Sequence, residues 1–281
     1  MTTIAILAPG LLGASLAAAS KASGLCERVQ VWARREETRR QCAEQAWCDS
    51  CSSTIEGAVS GADLVWVCAP VGAISRLVAM AAPHLKPDAI VSDVGSTKER
   101  LVMECERALE GRAVFVGSHP MAGSERSGLS NADVNLYAGK PCFVTPSQGC
   151  DERAVKRIEK FWEGLGMRVT RIDAREHDRI VACISHLPHV VAATLASKVA
   201  EMGGVGWREY VGSGLMDTTR VAAGSTPMWM DILQHNREEI LPMLRGIIEG
   251  LEHVRIHLEQ GRFEAVEQVL ESGKQFRESL D

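Results

Sequence analysis

The sequence lacks the features that mark several large classes of protein. Its 281 residues contain no block of like charges, and a formal net charge of -5 disfavours nucleic acid and anionic membranes as partners. The first ten residues, MTTIAILAPG, have no basic region before an apolar segment, and no uninterrupted apolar run reaches the length that spans a membrane. We therefore expect a cytoplasmic protein whose partners are small molecules.

A disulfide framework is also missing. The nine cysteines are an odd number, scattered through predicted helices and strands. Cys48 and Cys51 form a C-x-x-C pair with Cys42 nearby, but no second pair or histidine lies close enough in sequence to complete a tetrahedral metal site. We expect reduced thiols and no metal.

The first half of the chain alternates short β-rich apolar runs with helical patterns. The runs are TIAILA (3–8), VQVW (29–32), LVWVCAP (64–70), AIVSDV (89–94), AVFVGS (113–118) and PCFVT (141–145). A helix at about Asp151–Leu165 and a last strand, MRVTRI, follow. This alternation predicts an α/β domain over residues 1–172, built on a doubly wound, mostly parallel sheet.

The second half shows a different pattern. From Arg175 onward no convincing strand remains, and apolar residues fall at helical spacing: Ile180, Ile184, Leu187, Val191 and Leu195, then Ile240, Leu244, Ile247, Ile248, Leu251 and Val254. We predict an all-helical domain over residues 173–281. Local packing would leave a wide apolar face uncovered, so we also predict that this domain forms a homodimer interface.

The turn after the first strand is typical of a dinucleotide-binding site. In such turns glycines let the backbone approach a pyrophosphate, and the N-terminus of the next helix offers unpaired N–H groups to its charge. Its residues are Ala8, Gly10, Leu11, Leu12 and Gly13, with Ala8 standing where the first glycine of the motif is expected. A turn from strand to helix needs small residues anyway, but the βαβ context favours cofactor binding.

The end of the second strand bears on the choice of cofactor. An acidic residue there normally accepts hydrogen bonds from the adenosine ribose, whereas arginine favours a 2′-phosphate. This chain has Ala33, Arg34 and Arg35 at that place and no acid. NAD(P)+ is the expected cofactor, with NADP favoured over NAD, although the arginines could also be an exposed start of a helix.

Several polar groups follow the other strands that should end at the same edge of the sheet. The segments there contribute four residues that we expect at the cofactor, namely Cys68, Ala69, Pro70 and Asp93, and then Ser96 and His119. Ligands of doubly wound sheets bind at this edge. A histidine there can accept a substrate proton near neutral pH, since its ordinary pKa is about 6.5. The alternative is a histidine that caps a loop.

Four motifs in order resemble the prephenate/arogenate dehydrogenase family of tyrosine biosynthesis. They are DVGSTK (93–98) with GSHPMAGSE (117–125), SHLPH (185–189), DTTR (217–220) and PMW (227–229). The resemblance covers nearly the whole chain. It implies a Rossmann-type N-terminal domain, a helical dimerisation domain and oxidative decarboxylation of prephenate to 4-hydroxyphenylpyruvate with NAD(P)+, or of arogenate to tyrosine.

The resemblance also implies roles for individual residues. His119 would accept the proton of the 4-hydroxyl group, with Ser96 as a second hydrogen-bonding partner, and Arg220 would bind a substrate carboxylate. The other residues expected at the substrate are His189, Ser124, Glu125, His186 and Trp229. His186 and His189 could instead be ordinary helix residues around a kink at Pro188, or a metal-binding pair without supporting ligands.

Two other functions compete with this interpretation. A β-hydroxyacid dehydrogenase also pairs such a sheet with helices but uses a helix lysine for proton transfer, for which Lys198 is the candidate. A protein that senses NAD(P) without chemistry is the second, and it would have no need of His119 facing the nicotinamide.

Overall fold

The computed structural model describes residues 2–123 and 128–280, apart from the side chains of residues 204 and 205. The chain forms two compact units, Met1–Asn236 and Arg237–Asp281. The first contains a sheet with helices on both faces and a series of helices that follows it. The second is a pair of helices.

The sheet has eight strands in the order β3-β2-β1-β4-β5-β6-β7-β8. The strands are β1 (Thr3–Leu7), β2 (Arg28–Trp32), β3 (Ser50–Ser52), β4 (Leu64–Val67), β5 (Ile90–Asp93), β6 (Val114–Pro120), β7 (Pro141–Thr145) and β8 (Arg168–Arg171). All neighbours from β3 to β6 pair in parallel, and only β7 runs antiparallel to β6. The predicted doubly wound, mostly parallel sheet is confirmed.

Two details of the sheet differ from the prediction. Strand β3 was not predicted, because Ser50-Cys51-Ser52 is short and polar and becomes a strand only by pairing with β2. Strand β4 ends at Val67 rather than at residue 70, since Cys68-Ala69-Pro70 turns the chain into the next helix. The predicted strand was too long because those three residues are also apolar.

In the described part of the chain, six helices cover the sheet: α1 (Leu11–Ala22), α2 (Glu36–Ala43), α3 (Ile55–Val59), α4 (Val71–Ala81), α5 (Glu99–Leu109) and α6 (Glu152–Gly164). Alternate residues of β4 belong to two different hydrophobic clusters. Leu64 and Trp66 belong to a cluster with residues of α1 and α6, and Val65 and Val67 to one with residues of α3, α4 and α5. The predicted helix after Pro146 is confirmed, with Asp151 as its N-cap.

From residue 174 onward every described element is helical, as predicted. The first unit continues with α7 (Ala174–Val181), a π-helical turn (Ala182–His186), α8 (Leu187–Gly203), α9 (Ser213–Thr219) and α10 (Thr226–His235). Short 3-10 helices lie at Gly204–Tyr210 and Arg220–Ala223. The irregularity expected around Pro188 takes the form of the π turn just before it. Helices α11 (Arg237–Glu259) and α12 (Phe263–Glu278) pack together as the second unit.

Both units carry exposed apolar side chains. On the first unit Met202 is 77% and Tyr210 81% exposed, and on the second Leu270 is 69% and Phe276 68% exposed. The continuous helical run Ala174–Gly203 has the length and composition of a helix that could cross a membrane, although the sequence was expected to contain no such segment. The same run contributes buried polar groups, among them His177 and His186, to the first unit.

Candidate active site

The strand order brings the predicted segments to one edge. Strands β1, β4, β5 and β6 are consecutive and parallel, so their carboxyl ends are neighbours. These ends lead into the glycine turn, into α4, into the loop before α5, and to His119. This is the edge at which doubly wound sheets bind ligands.

The glycine turn leaves the start of α1 open to an anion. Gly10 is the N-cap and has extended backbone, no side chain caps the helix, and its first turn contains no acidic residue. A Cβ at Gly10 would meet no atom within 4 Å. Ala8 adopts a left-handed backbone with φ of 63°, which is where glycine is normally favoured. The backbone thus keeps the conformation of the motif although the residue differs.

Gly13 and Tyr137 hold this turn against the sheet. A Cβ on Gly13 would lie 2.9 Å from the Cβ of Cys68, so only glycine lets α1 approach β4 this closely. The Tyr137 hydroxyl donates a hydrogen bond of 2.7 Å to the Leu12 carbonyl. The open start of α1 and the glycines around it therefore fit the pyrophosphate of a dinucleotide. Tyr137 was not predicted, since it lies 125 positions from its partner.

The end of β2 presents arginines. Ala33 is buried, whereas Arg34 and Arg35 are exposed. The Arg39 guanidinium donates to the carbonyls of Ala33 and Arg34, at 2.9 and 3.0 Å. Arg39, which was not predicted as a site residue, thereby orders the backbone that carries the other two.

The Asp93 carboxylate, at a position expected to contact the cofactor, interacts with groups inside the protein. Its carboxylate is fully buried, forms an ion pair with the buried Lys98 ammonium, and accepts the N–H groups of Gly95 at 2.7 Å and Ser118 at 3.1 Å. These donors contact both oxygens of the carboxylate. Asp93 shapes the loop that carries the partly exposed Ser96, and it fixes the residue preceding His119.

His119 leads into a line of buried hydrogen bonds. Its Nδ1 lies 2.9 Å from Nε2 of His177 on α7, and Nδ1 of His177 lies 2.7 Å from Oδ1 of Asp178. The Asp178 carboxylate also accepts the backbone N–H groups of Lys98 at 2.7 Å and Glu99 at 2.9 Å, at the start of α5. His119 is 8% exposed and His177 is 0% exposed.

Burial keeps these histidines neutral. Desolvation by burial, together with the electrostatic influence of His177 and Lys98, holds the pKa of His119 well below its usual 6.5. Desolvation likewise lowers the pKa of His177 to about 2 and that of His186 to about 4. A neutral imidazole has one nitrogen free to accept a proton, as a general base requires.

A second group of side chains surrounds the π turn. Asn236 donates through Nδ2 to the Asp178 carbonyl at 2.8 Å and lies 3.0 Å from Nδ1 of His186. His186 meets the Trp229 ring edge-on, with centroids 6.1 Å apart. π-helical turns are frequent at functional sites because they shift the side chains that follow them.

His189 and Trp229 form a stacked pair. Their ring centroids are 3.6 Å apart and the planes differ by 10°. Burial lowers the pKa of His189, while a hydrogen bond to the Val221 backbone opposes that shift. Nδ1 of His189 is buried and has no hydrogen-bond partner among the described residues. Trp229 lies on α10, and Asp231 of that helix accepts the N–H of Gly72 at 3.0 Å. This hydrogen bond fixes α10 to the start of α4.

The remaining predicted residues have simpler surroundings. Arg220 is exposed at the first position of the 3-10 helix between α9 and α10. Ser124 and Glu125 lie outside the described residues. Lys198, the residue on which the competing dehydrogenase class depends, is exposed on α8 and pairs with Glu201 at 2.7 Å. Among the described residues no group of histidine, cysteine and acidic side chains could hold a metal ion.

His177, Asp178 and Asn236 were missed by the sequence reasoning. His177 is 58 positions from His119, and the surrounding REHDR resembles an exposed helix face. The signal that the sequence offers for His177 is indirect: REHDR is polar, yet α7 must bury one of its sides.

A Rossmann-type sheet with an open glycine turn, and a buried neutral histidine at the same edge, define a nicotinamide-dependent oxidoreductase. Comparison with known proteins identifies the family. A model described as the prephenate dehydrogenase nucleotide-binding domain matches residues 16–171, and one described as the prephenate dehydrogenase dimerization domain matches residues 173–272. The chain belongs to the prephenate dehydrogenase family.

Individual relatives agree with this assignment. The chain is 34% identical to a cyclohexadienyl dehydrogenase of Zymomonas mobilis, over 90% of this chain and 87% of the relative. It is 30% identical to a prephenate dehydrogenase of Bacillus subtilis, over 99% and 76%. The Aquifex aeolicus prephenate dehydrogenase, solved with hydroxyphenyl propionate and NAD+, superposes with a TM-score of 0.93 at 29% identity, covering 100% of this chain and 99% of that one. An arogenate dehydrogenase of Synechocystis gives 0.84 at 25% identity, with both chains fully covered.

Proposed function

We propose that the protein catalyses the NAD(P)+-dependent oxidative decarboxylation of prephenate to 4-hydroxyphenylpyruvate. The observation that carries this proposal is the placement of His119, a buried histidine at the same edge of the sheet as the glycine turn, in a chain whose relatives are prephenate dehydrogenases. The bound cofactor would supply the hydride acceptor. The protein's own residues would align the ring carbon, remove one proton and hold the substrate carboxylates.

His119 would act on the 4-hydroxyl group. As hydride leaves the carbon that bears this hydroxyl, Nε2 of His119 accepts the hydroxyl proton. Loss of the ring carboxylate as CO2 then makes the ring aromatic, and the proton returns to the product oxygen. Ser96, on the loop that Asp93 shapes, would share the hydrogen bond to that oxygen. A positioned base of this kind contributes about 10²–10⁴-fold in rate.

The substrate carboxylates would be bound by groups from the helices. Arg220 is the proposed partner because a planar guanidinium binds a carboxylate through two parallel hydrogen bonds. The stacked pair of His189 and Trp229 would form the wall next to it, with His186 behind. Ser124 and Glu125 are also proposed to contact the substrate, on the basis of the family resemblance alone.

NADP+ is the proposed cofactor. Arg34 and Arg35 project from the end of β2, where an acid would repel a 2′-phosphate, and Arg39 holds their backbone. Arg34→Asp should therefore raise the KM for NADP+ more than the KM for NAD+. Equal effects on the two constants would contradict this preference.

We further propose a cytoplasmic homodimer with a nucleotide-binding domain over residues 1–172 and a helical domain over residues 173–281. The exposed apolar residues on α8, α11 and α12 support an association between helices of two copies. Sedimentation at micromolar concentration should give the mass of a dimer, and a monomer would contradict the proposal.

One experiment tests the reaction and both specificities. Reduced-cofactor absorbance is followed with prephenate or arogenate, each with NAD+ or NADP+. Turnover of prephenate with NADP+ is the expected result. Faster turnover of arogenate would instead identify arogenate as the substrate, as the similarity to an arogenate dehydrogenase suggests. No reduction of the cofactor in any of the four assays would reject the proposed reaction.

A further inference from the structure

We propose that His177 is a positioning residue that fixes the tautomer and the ring orientation of His119. Its partner in this task is the Asp178 carboxylate. The inference deepens the proposed function, because it concerns the residue that would remove the substrate proton. It rests on hydrogen bonds that are independent of any ligand.

The argument begins at Asp178. Its carboxylate accepts two backbone N–H groups from the start of α5, at 2.7 and 2.9 Å. An ionised carboxylate offers only acceptors, so the 2.7 Å contact between Oδ1 of Asp178 and Nδ1 of His177 requires the proton on that nitrogen. Although burial raises the pKa of Asp178, the two backbone donors oppose that change.

The tautomer of His177 then determines that of His119. A neutral imidazole with its proton on Nδ1 has a lone pair on Nε2. Because Nε2 of His177 lies 2.9 Å from Nδ1 of His119, the latter nitrogen must donate. Neutral His119 is left with its lone pair on Nε2, which is the nitrogen that a base needs toward the substrate hydroxyl.

Protonation of His177 would reverse this arrangement, and its surroundings oppose it. His177 is fully buried, the Lys98 ammonium lies nearby, and both effects lower the pKa of His177 to about 2. His177 therefore remains an acceptor toward His119. The proton taken from substrate stays on His119 until it returns to the product.

Packing also fixes the orientation of both rings. His177 meets His119 edge-on at 5.1 Å and Phe143 of β7 edge-on at 5.3 Å. Asp173 caps α7 by accepting the N–H groups of Arg175 and Glu176, which sets the start of the helix that carries His177. Neither ring can turn without breaking these contacts.

Removal of His177 should therefore lower the catalytic rate more than substrate affinity. We expect His177→Phe, which fills the space but offers no acceptor, to reduce kcat by about 10²–10³-fold with KM changed only a few-fold, since a wrong tautomer of a catalytic histidine costs up to about 10⁴-fold. His177→Gln, whose amide can accept from His119 and donate to Asp178, should recover at least about tenfold of that loss.

Phe143→Leu serves as the matched control. It loosens the packing around His177 but leaves the acceptor in place, so kcat should change by less than about threefold if the hydrogen bond matters more than the packing. Circular dichroism and thermal unfolding establish that each variant is folded before its kinetics are compared.

A direct measurement on the wild-type protein does not depend on activity. The ¹⁵N NMR spectrum of the histidine-labelled wild-type protein at neutral pH should show His119 protonated at Nδ1 and unprotonated at Nε2, with His119→Asn identifying its signals. A proton on Nε2, or full kcat in His177→Phe, would overturn the inference. Because the spectrum reports the tautomer in a protein of any activity, its failure is distinguishable from failure of the proposed reaction.

Discussion

Replacement of Gly224 by alanine should damage the site through a single methyl group. Gly224 has φ of -62° and ψ of 156°, a backbone that any residue adopts, so the substitution introduces no backbone strain. The added Cβ would lie 2.5 Å from Nε1 and 3.0 Å from Cδ1 of Trp229, and 3.3 Å from Cε1 of His189. Since non-bonded carbon contacts are normally about 3.5–4.0 Å, the indole must move by about 1 Å.

That movement would reach His189, because its ring stacks on the indole at 3.6 Å. Overpacking of this kind typically costs about 1–3 kcal/mol of stability. A misplacement of 1 Å in a group that positions substrate can cost about 10²-fold in rate. For Gly224→Ala we expect kcat/KM for prephenate to fall by about 10–100-fold, mainly through KM, because both rings are proposed to bind substrate rather than to transfer the proton.

Gly214→Ala is the matched control for this prediction. Gly214 lies on α9, and a Cβ there would meet no atom within 4 Å. Initial-rate kinetics and urea unfolding of both variants compare the two sites. Wild-type kinetics in Gly224→Ala would refute the reasoning, since the stacked pair would then have no influence on substrate binding.

Three further predictions concern stability. Lys98→Met should destabilise the protein by about 3–5 kcal/mol in urea unfolding, because it leaves the buried Asp93 carboxylate unpaired. Adding Asp93→Asn should recover part of this loss, and an equal loss of stability in the single and the double variant would contradict the pairing. His177 and His186 stay neutral in the folded protein, whereas in the unfolded chain each histidine binds a proton below its ordinary pKa of about 6.5. At about pH 5.5 each should therefore lower stability by about 1.2 kcal/mol relative to about pH 7, and a flat stability between these pH values would contradict their burial as neutral groups. Ala8→Val should lower the free energy of unfolding by about 1–2 kcal/mol and weaken cofactor binding, because a β-branched residue tolerates a φ of 63° poorly. Ala8→Gly should not destabilise the protein, and equal melting temperatures of the two variants would argue against the left-handed turn.

The layout of the sheet could be predicted from the sequence because each strand carries its own local signal. Runs such as AIVSDV are short, apolar and β-branched, and helical patterns separate them, so a parallel sheet follows without tertiary information. The same logic placed the glycine turn and His119 at one edge. It failed for β3, whose three polar residues become a strand only because β2 lies beside them.

The supporting groups of the site could not be predicted in this way. His177 and Asp178 carry no local signal, since a histidine and an acid in REHDR are ordinary residues for the exposed side of a helix. Their burial depends on α7 packing against α5 and β7, which no pattern within α7 specifies. Asp93 is a related case, because its position at a strand end indicates a ligand contact, whereas the sequence gives no sign of the ion pair that its carboxylate forms with Lys98.

These internal groups explain why the first compact unit extends to Asn236 rather than ending with the sheet. His177 accepts from His119 on β6, Asp178 binds the first N–H groups of α5, and Asp231 binds the N–H of Gly72 at the start of α4. Asn236 closes the series by donating to the Asp178 carbonyl. The helices that follow the sheet thus provide the acceptor for the proposed base and fix the starts of two helices at the ligand edge. A motion of these helices away from the sheet would break the hydrogen bond between His119 and His177, and it would remove the base from its working tautomer as well as opening the site.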